Sequence, residues 1–143
     1  MEKLVIYMDH EGDFYTIMGK FFANRVYAQE MGGWQFYTKE GSIWFVLLKE
    51  ENNDNKKDVI GFCSIIREKT HLYFDNMYVI KEHRNNGYGN TLFNERLKYA
   101  LTLNKEIRVI TDNPIQINRY LKNGFIQYGN KGRYTKFRRI YRV

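Results

Sequence analysis

The chain has 143 residues, 43% hydrophobic and 27% charged, the size and balance of one globular domain whose core needs no disulfide or metal staple. Its longest uninterrupted apolar run, Ile43–Leu48, is too short to span a bilayer, and the single cysteine, Cys63, excludes an internal disulfide and a cysteine-built zinc site. The net charge of +7 is uneven: all 16 acids lie at or before Asp112, and eight basic residues follow with no acid among them. In chain order, Lys3–Met8 reads as a strand with a β-branched centre, and Asp9 or Asp13 is placed to cap the helix after it. Apolar residues at Phe14, Ile17, Met18, Phe21, Phe22 and Val26 predict one helix, ended by Gly32-Gly33. Trp34–Gly41 is a connection and Ser42–Lys49 a strand, while the polar stretch Asn52–Asp58 predicts an exposed hairpin loop. Val59–Arg67 follows as a strand with Gly61 as a candidate bulge, then Leu72–Ile80 as another. Gly89–Asn104 carries Leu92, Phe93, Leu97, Ala100, Leu101 and Leu103 at helical spacing. Ile107–Thr111 is a short strand, and Pro114 opens a helix that runs to about Lys122 and stops at Asn123-Gly124. Phe125–Tyr128 and Arg133–Tyr141 form two last strands around Gly129–Gly132.

The order β-α-β-β-β-α-β-α-β-β, with no linker or repeat, predicts a single α/β domain over residues 1–143 with a mixed sheet. The opening stretch reaches Asp9 too soon for a secretory signal. With the lone cysteine, this sets the expectation of a cytoplasmic protein. His10, His71 and His83 show no metal-ligand spacing, so no metal is expected. The basic tail suits an anionic partner: a phosphorylated cofactor, a nucleic acid or an acidic protein.

Arg84-Asn85-Asn86-Gly87-Tyr88-Gly89 lies between a predicted strand and a predicted helix. Its glycines allow a tight turn and close approach of a ligand, and the first helical amides have no internal partner. With the helix dipole they make a site for a diphosphate. It is no Walker loop, since Gly-Lys-Ser/Thr is missing, and no dinucleotide fingerprint, since it has two glycines rather than three.

The stretch Asp75–Gly89 resembles the central motif of the GNAT superfamily, the Gcn5-related N-acetyltransferases: a strand ending in Val79, then Arg84-Asn85-Asn86-Gly87-Tyr88-Gly89. Asn113, Tyr120 and Gly124-Phe125 match that family's late helix and following strand. The resemblance implies an α/β (α+β) three-layer fold, a mostly antiparallel mixed sheet with a splayed central parallel strand pair flanked by helices. It implies acetyl-CoA as cofactor, with backbone groups of Met77, Tyr78 and Val79 against the pantetheine arm. It places the diphosphate on Arg84, Asn85, Asn86, Gly87, Tyr88, Gly89 and Asn90, with Asn113 bracing the pantetheine or capping its helix. An N–H near Met77 or Tyr78 would face the thioester oxygen. Tyr120 is the candidate acid, or else an aromatic of the buried helix face. Asp75 is the candidate base, or else a surface or capping carboxylate, and Glu82 is a weaker candidate. The chain departs from many relatives at Lys81-Glu82, where they carry Pro, and at Gln116, where they carry Ala.

The expected activity is acetyl transfer to a primary amine, with an acidic or nucleic-acid-associated acceptor. Trp34, Phe36, Tyr37, Tyr134 and Tyr141 are candidate base-stacking aromatics. A GNAT-fold enzyme acting on nucleic acid and a non-catalytic acyl-CoA-binding module are the alternatives; the intact Gly87, Gly89 and Tyr120 argue against the second. A nucleic acid and a second copy of the chain stand as candidate partners, and a membrane does not.

Overall fold

The computed structural model describes residues 2–22, 24–30, 35–50 and 57–140. In it the β-branched and alternating runs become β1 (Glu2–Met8), β2 (Ser42–Glu50), β3 (Lys57–Arg67), β4 (His71–Val79), β5 (Glu106–Thr111), β6 (Ile126–Lys131) and β7 (Tyr134–Arg139). The helices among the described residues are α1 (Phe14–Met18), α2 (Arg25–Glu30), α3 (Tyr88–Leu101) and α4 (Pro114–Lys122). The strands form one sheet in the order β1-β2-β3-β4-β5-β7-β6, antiparallel throughout except for the β4–β5 pair. The expected mixed α+β fold with a central parallel pair is therefore present.

The run Ile43–Leu48 is apolar without alternation because both faces of β2 are covered. Ile43, Phe45 and Leu47 join the core beneath α3 and α4 with Leu92, Phe93 and Tyr120. Trp44, Val46 and Leu48 join a second core with Phe14, Met18 and Phe21 from the α1 region. β7 has one covered face: Phe137 is buried, whereas Lys136 and Arg138 point to the face opposite α3 and α4.

Three local expectations need correction. The single helix from Phe14 to Val26 is broken. Gly19 opens a short 3-10 turn, Phe22 is extended, and Asn24 Oδ1 accepts from the Val26 N–H to start α2. The end proposed at Gly32-Gly33 lies outside the described residues, as does most of the Asn52–Asp58 loop. Asp13 precedes α1 but caps nothing with its side chain; its carboxylate accepts from the Tyr7 hydroxyl at 2.8 Å and Lys57 at 3.2 Å. Finally, β6 continues past Gly129 to Lys131, which pairs with Tyr134 across a two-residue turn at Gly132, φ +60°. Gly129, expected in the connection, lies within β6 beside a register shift that leaves Tyr128 unpaired within the strand.

Two bulges shape the centre of the sheet. Between β2 and β3 the register skips Ile60, next to Gly61. A Cβ on Gly61 would stand 2.7 Å from the Tyr78 carbonyl oxygen, so only glycine lets β3 and β4 approach this closely. Between β3 and β4 the register shifts from Phe62↔Tyr78 to Ser64↔Asp75, with Asn76 at φ +50°. Asn tolerates this left-handed conformation better than most residues.

Candidate functional site

β4 and β5 pair only at His71–Tyr73 with Glu106–Arg108. Beyond that the strands part, β4 running to Val79 alongside β3 and β5 to Thr111 alongside β7. The gap opens into a cavity of about 720 Å³ walled by Tyr73–Met77 of β4, Val109–Asp112, Asn113, Gln116 and Tyr120. Gly132–Tyr134, from the β6–β7 hairpin, close one side, where Arg133 is paired with Asp112 at 3.1 Å.

Asn76 ties the bulge to the connection before β2. Its Nδ2 donates to Ser64 Oγ at 2.9 Å and to the Tyr37 carbonyl, and its Oδ1 accepts from the Tyr37 N–H at 3.0 Å. The parity change it imposes sends Tyr73 and Asp75 to the face shared with α1 and α2, and Met77 and Val79 to the α3 side. Asp75 is half-buried at the cavity wall and Oδ1 accepts from the Asn76 N–H at 2.9 Å. Burial pushes its carboxyl above the usual carboxylate range, against smaller opposing effects of that hydrogen bond and Arg96.

Tyr120 reaches the same cavity from α4. It is 2% exposed, packed among Phe74, Phe93, Phe125 and Phe137. Its oxygen accepts from Arg96 Nη2 at 3.0 Å. Burial raises its pKa, opposed in part by the Arg96 charge. Asn113 caps α4, Oδ1 accepting from Ile115 and Gln116 at 2.9 and 3.3 Å. That leaves its Nδ2 as the group open to a ligand. Glu82 is exposed in the turn Lys81–His83, away from the cavity.

The Arg84–Asn90 loop does not line this cavity. It sits at the far end of β4, where Asn85 and Gly87 take φ +66° and +81°. Gly87 begins α3 without a side-chain cap, and the first helical bond runs from the Thr91 N–H to the Gly87 carbonyl. The Tyr88, Gly89 and Asn90 amides therefore have no helical carbonyl to donate to. The guanidinium of Arg119, on α4, lies 3.4 Å from where a Gly89 Cβ would stand, placing a cation beside this anion-ready turn. Arg84 is committed elsewhere: Nε donates to the Val79 carbonyl at 2.9 Å and Nη2 to Glu30 at 2.8 Å. Asn86 Nδ2 holds the His83 and Arg84 carbonyls, and the Tyr88 hydroxyl donates to Glu2. The side chain of Tyr78 is turned into the α1-side core, its hydroxyl donating to Glu30 at 2.8 Å, and its carbonyl faces Gly61 of β3.

Two more polar side chains line the cavity: Gln116, marked in the sequence as a departure from relatives, and Arg96, which no motif marks. Gln116 lines it with a buried Oε1 that has no partner among the described residues. An orphaned acceptor in this wall suits an amide N–H donor such as pantetheine carries. Arg96 is 1% exposed beneath the β4 bulge. Its signal was legible: Arg96 stands four residues after Leu92 and four before Ala100, on the apolar face of α3. Of the aromatics named for base stacking, Phe36 is core, 7% exposed, Tyr37 is exposed and Tyr134 lines the cavity. Trp34 and Tyr141 lie outside the described residues.

The architecture has close counterparts in shape. A crystal structure of Escherichia coli ElaA matches with a TM-score of 0.69 at 14% identity, over 97% of this chain and 99% of that one. An acyl-CoA N-acyltransferase from Pseudomonas aeruginosa matches at 0.67 and 11%, over 97% and 99%. The PaiA N-acetyltransferase of Thermoplasma acidophilum, solved with coenzyme A, matches at 0.58 and 13%, over 97% and 99%. At these identities the likeness is one of fold. No curated protein matches the chain in sequence. The model of the acetyltransferase (GNAT) family covers residues 7–125, the stretch holding both parted strands, the glycine loop and Tyr120. By that match the chain belongs to the GNAT family.

Proposed function

We propose that the chain is an acetyl-CoA-dependent N-acetyltransferase that acylates a primary amine by direct attack on the thioester. The observation carrying this reading is the parting of β4 from β5 after Tyr73 and Arg108, with Asp75 and Tyr120 brought to one cavity. Solved neighbours crystallised with coenzyme A or acetyl coenzyme A support the cofactor. When bound, acetyl-CoA supplies an electrophilic carbonyl and a thiolate leaving group.

The amides of Asn85–Asn90 would hold the diphosphate, with the Arg119 charge beside them. Backbone groups of Met77–Val79, Asn113 Nδ2 and Gln116 Oε1 would hold the pantetheine, and an N–H of Met77 or Tyr78 would stabilise the thioester oxygen. A lysine-like amine is almost fully protonated at neutral pH. Asp75, a carboxylate with a raised pKa and no salt-bridge partner among the described residues, would take its proton. Tyr120 would hold the proton that the departing sulfur needs at Oη.

For the acceptor, Lys136 and Arg138 flank the exposed Tyr128 ring at 5.9 and 5.6 Å on the sheet face opposite α3 and α4, the face Asp75 shares. This favours an acidic or nucleic-acid-bound amine. The test is thiol release from acetyl-CoA across a panel of free amines, acidic peptides and RNA-linked amines. Wild type should release thiol with at least one class. Tyr120→Phe should lower kcat by about 10²-fold or more, with CoA affinity by calorimetry unchanged. A normal kcat in that variant removes Tyr120 from the reaction.

A further inference from the structure

We infer that Arg96 is a positioning residue for Tyr120: its guanidinium donates into the phenolic oxygen, aims the O–H at the cavity, and steadies the phenolate left once the proton is given up. The inference rests on the reading of Tyr120 as the acid.

The geometry makes Arg96 a fixed fork. Nη1 donates to the Ser64 and Asp75 carbonyls at 3.3 and 3.0 Å, facing residues of β3 and β4 beside the bulge, and Nη2 donates to Tyr120 Oη at 3.0 Å. The guanidinium lies 4.2 Å from the centroid of the Phe74 ring. A guanidinium stays charged in any folded protein and has no acceptor. Tyr120 therefore cannot donate to it, and no other described residue takes the phenol's proton. The O–H is left for the cavity that both side chains line. A buried cation held this way is expensive to desolvate, and a hydrophobic side chain would fill α3's inner face more simply. Its three donated bonds converge on the strand wall and the candidate acid, which is what a charge retained for chemistry would do.

The proton balance closes without a further reactant. As the C–N bond forms and the C–S bond breaks, the Tyr120 O–H breaks and its proton passes to sulfur. The electron pair stays on Oη, 3.0 Å from Arg96 Nη2. The amine gives up two protons on the way from ammonium to amide: the first, taken by Asp75, passes to solvent, and the second, shed by the nitrogen once the C–N bond has formed, restores the phenol. The groups around that phenol are Cys63 from β3, Tyr73 and Asp75 from β4, Arg96 from α3, and Arg119 from α4. Among them the cations favour the phenolate, and Cys63 and burial oppose it.

The experiment is a ¹⁹F NMR titration of the full chain labelled with 3-fluorotyrosine, the Tyr120 signal identified by its absence in Tyr120→Phe. It needs neither cofactor nor acceptor, so failure of acetyl transfer in the amine panel is read separately. In Arg96→Met the ionisation midpoint of Tyr120 should rise by about one pH unit or more, a tenfold change in its ionisation constant. Arg96→Lys, which keeps the charge but loses the fork, should rise by less and recover part of the lost kcat. The kcat loss of Arg96→Lys should largely vanish in a Tyr120→Phe background. An unmoved midpoint in Arg96→Met overturns the inference, and so does one in Arg96→Lys should only that variant fold. An additive kcat loss in the double variant also overturns it.

Discussion

Replacing Gly61 by Ala tests whether the close approach of β3 and β4 holds the cavity wall in place. The added methyl would meet the Tyr78 carbonyl oxygen at 2.7 Å, Leu92 Cδ1 at 3.0 Å and Val79 Cα at 3.2 Å. Two of the three are backbone atoms of β4, so no side chain can swing away to relieve them. Overpacking of this kind costs about 1–3 kcal/mol. Removing a glycine from the unfolded chain returns about 0.4–1 kcal/mol. Mid-range values leave a net loss of about 1.3 kcal/mol, a fall in melting temperature of about 4–7 °C at this chain length. Urea denaturation with an unchanged m-value reads the loss directly. The matched control is Gly129→Ala, whose methyl would meet only the flexible Lys136 Cδ at 3.6 Å; it should stay within about 0.5 kcal/mol of wild type. Because Tyr78 and Val79 lie on the strand that parts from β5, Gly61→Ala should also weaken CoA binding. If Gly61→Ala is as stable as the control, the 2.7 Å contact does not govern the spacing of these strands.

Gly89→Arg should abolish CoA binding, since it fills the turn beside Arg119 and adds a side chain where the α3 amides open; unchanged affinity by calorimetry refutes the loop as the diphosphate site. Asp75→Asn should remove the acid limb of the kcat profile, which in wild type lies above the ordinary carboxylate range. The same change should stabilise the fold at neutral pH. A carboxyl with a raised native pKa binds its proton more tightly folded than unfolded, so its contribution is present at low pH and lost as pH rises through the native value. Stability curves of the two proteins should therefore converge in acid, and a gap of constant size across pH contradicts the assignment. Charge reversal of Lys136 and Arg138 together should impair an anionic acceptor and spare CoA affinity. Arg139 is a poor choice for this test, because its Nε donates to the Asn123 carbonyl at the end of α4.

Elements with an unambiguous period were legible in the chain. Leu92, Phe93, Leu97 and Ala100 marked α3, Pro114 and Asn123-Gly124 bounded α4, and the glycines after Val79 marked the turn into α3. Features that depend on cross-chain contacts were not. The spacing from Phe14 to Val26 is helical, but the break at Phe22 lets Phe14, Met18 and Phe21 reach one core while Tyr27 stacks on Tyr78. The bulge at Asn76 answers to the Tyr37 backbone, 39 residues away, and nothing local announces it. Arg96 did leave a trace, a charge at an apolar position of α3, but it lies outside the glycine and tyrosine motifs. The role of Tyr128 as a ring between two cations depends on a register shift in β6 that Gly129 alone could not locate.

The short β4–β5 pairing has a further consequence. Three consecutive residues, His71, Leu72 and Tyr73, carry the whole ladder between the β1–β4 and β5–β7 portions of the sheet. An extended molecule lodged between them acts as a surrogate strand, so melting temperature should climb with its concentration by mass action. Amide protons of Met77 and Val79 should exchange quickly with solvent in the free protein and slowly once the cleft is filled.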